Sequence, residues 1–138
     1  MNRVFADTSG FIALEDAADQ NHMQARSFQQ LARQENIRLV TTNYVLAEAY
    51  TWIRLHLGHK QAVNFGKTIQ ASKLVTVIRV DVSQEQEAWT IFVRHADKTY
   101  SYTDCTSFAV MKQLSLDRAF AFDRHFSQFG FQLVPGTA

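Results

Sequence analysis

The chain has 138 residues, 46% of them apolar, with 14 Lys and Arg against 13 Asp and Glu; that suits one globular domain over residues 1–138 with a real core and excludes two ordinary domains. A net charge of +1 excludes a global basic field for nucleic acid, so any polyanion must be held locally or through metal. No apolar run approaches the roughly 18 to 20 residues of a membrane span and no leader-like segment opens the chain, so a cytoplasmic protein without membrane association is expected; the lone Cys105 cannot form an internal disulfide, in keeping with a reducing compartment.

In chain order, residues 4–10 read Val-Phe-Ala-Asp-Thr-Ser-Gly, a buried strand that stops at Asp7. Residues 11–15 form a short helix, and residues 21–34 a longer one with Met23, Ala25, Phe28, Leu31 and Ala32 at helical spacing. Leu39 and Val40 mark a short strand. Residues 44–57 are strongly helical, Gly58 stops them, and residues 59–71 resume as a helix, which makes a helical hairpin. The β-branched run 74–80 predicts a strand buried on both faces. Residues 84–95 are a helix with Ala88, Trp89, Phe92 and Val93 on its packed side, and residues 102–114 another, followed by strands at 119–122 and 131–134. Strands separated by helices imply a mostly parallel sheet with helices on both faces, an α/β fold.

Four acids stand out. Asp7 closes the first strand, Glu48 shares a helix face with Tyr44, Val45, Trp52 and Leu55, Asp104 opens the helix that carries Phe108 and Met111, and Asp123 follows the strand 119–122. Each has a plain structural explanation: Asp7 as a helix cap, Ser101 and Asp104 as a capping box, Asp123 as the start of a turn over 124–127. Glu48 fits that explanation least, because an unpaired carboxylate in an apolar stripe costs several kcal/mol, of order, or stays protonated. Right-handed crossovers bring three of the four to one rim of the sheet, where mutual repulsion would raise at least one carboxyl pKa, Glu48 being the first candidate. A hard divalent cation with oxygen ligands makes such a cluster tolerable, and Mg²⁺ or Mn²⁺ suits it better than zinc.

Asp7-Thr-Ser with Gly10 following, Glu48 inside Tyr-Val-Leu-Ala-Glu-Ala, Ser101-Tyr-Thr-Asp104-Cys-Thr-Ser-Phe-Ala-Val-Met, and Phe120-Ala-Phe-Asp123-Arg-His-Phe resemble, in order and spacing, the acidic motifs of PIN-domain proteins, in particular the small VapC-like ribonuclease toxins. The resemblance runs from near residue 3 to near residue 134. It implies a three-layer α/β/α sandwich, a Mg²⁺- or Mn²⁺-dependent endoribonuclease acting on an RNA substrate, and Asp7, Glu48, Asp104 and Asp123 as the metal-site acids. It also implies a short antitoxin partner over the helical hairpin and acidic pocket, a homodimer, and products with a 5′-phosphate and a free 3′-hydroxyl.

The residue types agree with that chemistry, since carboxylates holding one or two cations can activate a water in line with a scissile phosphate. Asp7 and Asp104 are then direct ligands, Glu48 a ligand or the base for the water, and Asp123 a contributor through water. Thr8, Ser9 and Thr103 either hydrogen-bond these carboxylates or a phosphate, or simply cap helices. Arg124 and His125 are placed to meet a phosphate, with a solvated surface the equal alternative. Trp52 and Trp89 are assigned to the core ahead of base stacking, and Cys105 to the core ahead of catalysis. Two other classes compete: a haloacid-dehalogenase-like phosphatase, which needs a second Asp where this chain has Ser9, and a catalytically silent PIN-like module that binds RNA or protein.

Overall fold

In the computed structural model, which describes residues 2–136, the strands are β1 (Arg3–Ala6), β2 (Arg38–Thr42), β3 (Val75–Ile78), β4 (Arg118–Phe120) and β5 (Gln132–Val134). Between them run α1 (Thr8–Glu15), α2 (His22–Gln34), α3 (Asn43–Leu57), α4 (His59–Ala71), α5 (Val82–Arg94), α6 (Tyr102–Gln113) and α7 (His125–Phe129). The sheet has the order β3-β2-β1-β4-β5 and every neighbouring pair is parallel. The larger helix contacts fall into two groups, α1 to α4 and α5 to α7, joined by a smaller contact of α3 with α6; the groups are the outer layers of a three-layer α/β/α sandwich.

The central strand shows why the sequence folds this way. Val4, Phe5 and Ala6 are all fully buried, because a middle strand covered on both faces needs apolar side chains on both. Phe5 stacks on Phe126 of α7 with ring centroids 6.2 Å apart, while Phe120 of β4 stacks on Phe28 of α2 at 4.7 Å. The two layers are thus anchored by different aromatic pairs on opposite faces of the sheet.

The chain fills the sheet outward from β1 to β2 and β3, then crosses back to place β4 on the other side of β1. That reversal opens a crevice beyond the carboxyl ends of β1 and β4, where open α/β sheets bind ligands. α1 begins immediately after β1, and α6 runs back toward the start of β4, so the N-terminus of α6 also lies at this edge.

Several local expectations need correction. β3 is an edge strand with Thr76 and Val77 exposed; its β-branched residues favour a strand, but burial on both faces requires a neighbour on both sides. On α5 the packed positions are Gln84, Ala88 and Ile91, and Trp89, Phe92 and Val93 face solvent. Trp52 is half-buried against the core and stacks flat on His56 at 4.1 Å. The turn expected over 124–127 is instead the start of the short helix α7, whose Phe126 is fully buried. The helical hairpin is as expected, with Gly58 at φ +102° between α3 and α4, a backbone region that favours glycine. Cys105 is a buried thiol whose pKa desolvation pushes up to about 11, with Asp104 adding to it, in line with a core role. Among the described residues no helix is long and apolar enough to cross a membrane.

Candidate active site

Asp7 is the N-cap of α1 and is 4% exposed. Its Oδ2 accepts from the Ser9 amide at 3.2 Å and the Ser9 hydroxyl at 2.7 Å, and the same hydroxyl oxygen accepts from the Phe122 amide at 3.0 Å. The Asp7 amide donates to Phe120 O at 3.1 Å. Ser9 therefore laces the end of β1 to the end of β4. Gly10 permits this close seam, since a Cβ there would lie 2.6 Å from Phe120 O and 2.8 Å from Phe120 Cδ2.

Asp104 sits at the start of α6 in a reciprocal capping box: its amide donates to Ser101 Oγ at 3.0 Å, and the Ser101 amide donates to Asp104 Oδ2 at 3.0 Å. Asp123 lies just before α7, and its Oδ1 accepts from the His125 amide at 2.9 Å. The His125 ring stands between the two acids, with Nδ1 2.8 Å from Asp104 Oδ2 and 3.3 Å from Asp123 Oδ1. One ligand atom from each of Asp104, Asp123 and His125 falls within a 4.8 Å group.

The capping explanations are thus correct for Asp7 and Asp104, and capping does not exhaust these side chains. In each aspartate one oxygen takes the hydrogen bonds, while Asp7 Oδ1, Asp104 Oδ1 and Asp123 Oδ2 accept none from the described residues. Ser107 Oγ is the one side-chain polar atom among the described residues that is both sealed from solvent and unpartnered. Burial pushes the Asp7 carboxyl up to about 7; Ser9 opposes the rise, and the charges of Asp104 and Asp123 add to it. Asp104 is also raised, chiefly by burial and further by Asp123, against lowering bonds from Ser101 and His125. The raised carboxyls expected from repulsion are therefore Asp7 and Asp104, and desolvation leads the cause. Oxygen-rich, mutually repelling and partly starved of partners, this donor set fits a hard divalent cation.

Glu48 occupies a different position. It lies on the exposed face of α3, one residue before the buried Ala49, with Thr8 Oγ1 donating to its Oε1 at 3.0 Å. It lines an open groove with Thr8, Thr51, Trp52, Leu55 and His56. The apolar stripe assigned to it belongs to Val45, Ala49 and Ile53. Thr103 is half-buried beside Asp104, its carbonyl accepting from Thr106 Oγ1 at 2.6 Å. Arg124 is exposed, and its carbonyl accepts from the Ser127 hydroxyl and the Gln128 amide. His125 is turned inward, its Nε2 3.1 Å from Thr99 Oγ1. Thr99 carried no signal by itself; the Asp123-x-His125 spacing, which lets a carboxylate accept from the amide two residues on, was the available hint.

A parallel α/β/α sandwich with acids beyond the carboxyl ends of β1 and β4 is the arrangement that the resemblance to PIN-domain proteins implies. The PIN domain model matches residues 4–132, and the chain belongs to that family. It is similar to the 23S rRNA-specific endonuclease VapC20 of Mycobacterium tuberculosis, at 38% identity over 128 residues, 93% of this chain and 95% of the relative. The crystal structure of M. tuberculosis VapC20, described as a sarcin-ricin loop cleaving toxin, matches with a TM-score of 0.86 and 37% identity over 93% of this chain and 95% of that one. VapBC2 from Rickettsia felis, bound to a DNA fragment from its promoter, matches with a TM-score of 0.72 at 9% identity over 95% and 96% of the two chains, a likeness of fold alone.

Proposed function

We propose that this chain is a Mg²⁺- or Mn²⁺-dependent endoribonuclease that hydrolyses RNA phosphodiester bonds, acting as the toxin of a toxin-antitoxin pair. The observation that carries the proposal is the gathering of Asp104 and Asp123, with His125, within 4.8 Å, beside a buried Asp7 whose carboxyl feels the charge of both. When bound, the cation would supply a Lewis acid for an attacking water and charge stabilisation at the scissile phosphate.

The chain's own residues divide the remaining work. Asp7, Asp104 and Asp123 would hold the cation, and Ser9 and Ser101 fix one oxygen of Asp7 and of Asp104. Glu48, hydrogen-bonded by Thr8 next to Asp7, would complete the cation site or take the water's proton. No residue serves as a covalent nucleophile. Ser9 stands where a haloacid-dehalogenase-like phosphatase needs its second Asp, and its hydroxyl is committed to Asp7.

The 38% identity to VapC20 over 93% of the chain supports 23S rRNA as the substrate, and the description of that toxin's structure supports the sarcin-ricin loop within it. An antitoxin partner and a homodimer follow from the family resemblance. Ribosomes or 23S rRNA incubated with the purified protein and Mg²⁺ or Mn²⁺ should yield a discrete cut with a 5′-phosphate end. Asp7→Asn and Asp104→Asn should abolish that cut while the circular dichroism spectrum is kept. Cleavage that persists in EDTA, or in both variants, would refute the proposal.

A further inference from the structure

Both ring nitrogens of His125 are engaged within the protein. Nδ1 faces Asp104 Oδ2 at 2.8 Å and Asp123 Oδ1 at 3.3 Å, and Nε2 meets Thr99 Oγ1 at 3.1 Å. The buried Tyr100 packs edge-on against the ring with centroids 5.5 Å apart, and the His125 amide is spent on Asp123 Oδ1. A histidine that binds phosphate needs an N–H directed outward, and the side chain here is only 21% exposed.

We infer that His125 is a positioning residue for the cation site: it holds Asp104 Oδ2 and Asp123 Oδ1 together, so that the partner oxygen of each carboxylate is presented to the cation. The proposal rests on the nuclease reading above and adds a residue and a role to it. Nδ1–H donates to Asp104, and Nε2 accepts from the Thr99 hydroxyl, which makes Thr99 the group that sets the ring's tautomer. The histidine thereby joins the loop before α6, the first turn of α6 and the start of α7. Asp104 Oδ2 receives two donors, from Ser101 and His125, and two bonds on one oxygen fix the carboxylate plane as one bond does not. Partners of this kind tune a metal site without touching the metal.

Mn²⁺ binding to the RNA-free protein, followed by electron paramagnetic resonance, tests this together with steady-state cleavage. In His125→Leu, Mn²⁺ affinity should fall about 10- to 100-fold, while KM for RNA at saturating Mn²⁺ stays within about twofold. His125→Asn, whose amide N–H reaches close to the Nδ1 position, should recover most of the affinity. Thr99→Val, an exposed position, should weaken Mn²⁺ binding by a smaller factor; it keeps the test open if the leucine variant fails to fold. Unchanged Mn²⁺ affinity in a folded His125→Leu, with a raised KM for RNA, would overturn the proposal and return His125 to phosphate contact. Unchanged affinity in Thr99→Val together with no recovery in His125→Asn would also overturn it. If the unaltered protein bound no Mn²⁺, the nuclease reading itself would fall, a result distinct from these.

Discussion

Three of the four candidate acids and the fourth stand in opposite kinds of place. Asp7, Asp104 and Asp123 lie at the sheet's switch point, each with an oxygen pinned by a backbone amide at the start of a helix. Glu48 stands on the solvent face of α3, steadied by a single threonine hydroxyl. The contrast separates carboxylates fixed by the backbone from one fixed only by a side-chain hydroxyl. The pinned aspartates sacrifice solvation, which is why burial raises Asp7 and Asp104. Glu48 keeps its contact with water and has one hydrogen bond, from Thr8. Pinned groups suit the holding of a cation, where small displacements weaken every bond; a mobile group suits proton transfer or a late-arriving ligand.

The largest expected effect falls on the pinned side. Asp7→Asn or Asp104→Asn should lower single-turnover cleavage at least about 1000-fold, about 4 kcal/mol of transition-state stabilisation. The pinned side should also be visible without substrate. The folded Asp7 carboxyl binds its proton more tightly than the unfolded one, so its favourable contribution is complete below pH ~4 and is lost as pH rises through about 7. Urea denaturation of the metal-free protein should therefore show stability falling by a few kcal/mol, in order of magnitude, across that window. Asp7→Asn, which keeps an N-cap side chain, should flatten the slope; an equal slope in that variant would contradict the burial of Asp7.

Glu48→Gln should cost about 100-fold in cleavage while changing stability by no more than about 0.5 kcal/mol. A loss equal to that of the aspartates would erase the distinction between the two sides. Gly10→Ala should destabilise by about 1–3 kcal/mol, because the added methyl meets Phe120 O and the Phe120 ring; urea midpoints read this directly. The smallest effect is expected of Thr8→Val, about tenfold or less in cleavage, and it should vanish in a Glu48→Gln background if the threonine acts only through Glu48.

The layered architecture was legible because strands and helices alternate along the chain, and the apolar run of β1, cut short by an acid and Thr-Ser-Gly, suits a covered strand ending at a rim. Glu48 does share a face with Trp52 and Leu55, but that face opens to solvent while Val45, Ala49 and Ile53 turn inward; periodicity groups residues on a face without saying which of two adjoining faces is covered. Trp89 and Phe92 were assigned inward with Ala88 by helical spacing, yet α5 covers its neighbour α6 through Gln84, Ala88 and Ile91, a stripe that shares Ala88 and turns away from the aromatic residues. α6 was underestimated in the other direction. Every residue from Asp104 to Met111 is buried, including Thr106 and Ser107, so its polar pattern hid a central helix. The role of His125 was out of reach, because it depends on Thr99 and Asp104, which only the fold brings beside it.

The three tethering amides, of Ser9, Ser101 and His125, also amount to a built-in set of spectroscopic probes. Each amide proton points at one oxygen of one aspartate, and its chemical shift responds to charge drawn off that carboxylate. In a nitrogen–proton correlation spectrum, titration with Mg²⁺ should move these three signals together and leave Thr8 and its helix-face partner to report separately. Occupancy of the site could then be followed residue by residue in a protein that has never met RNA.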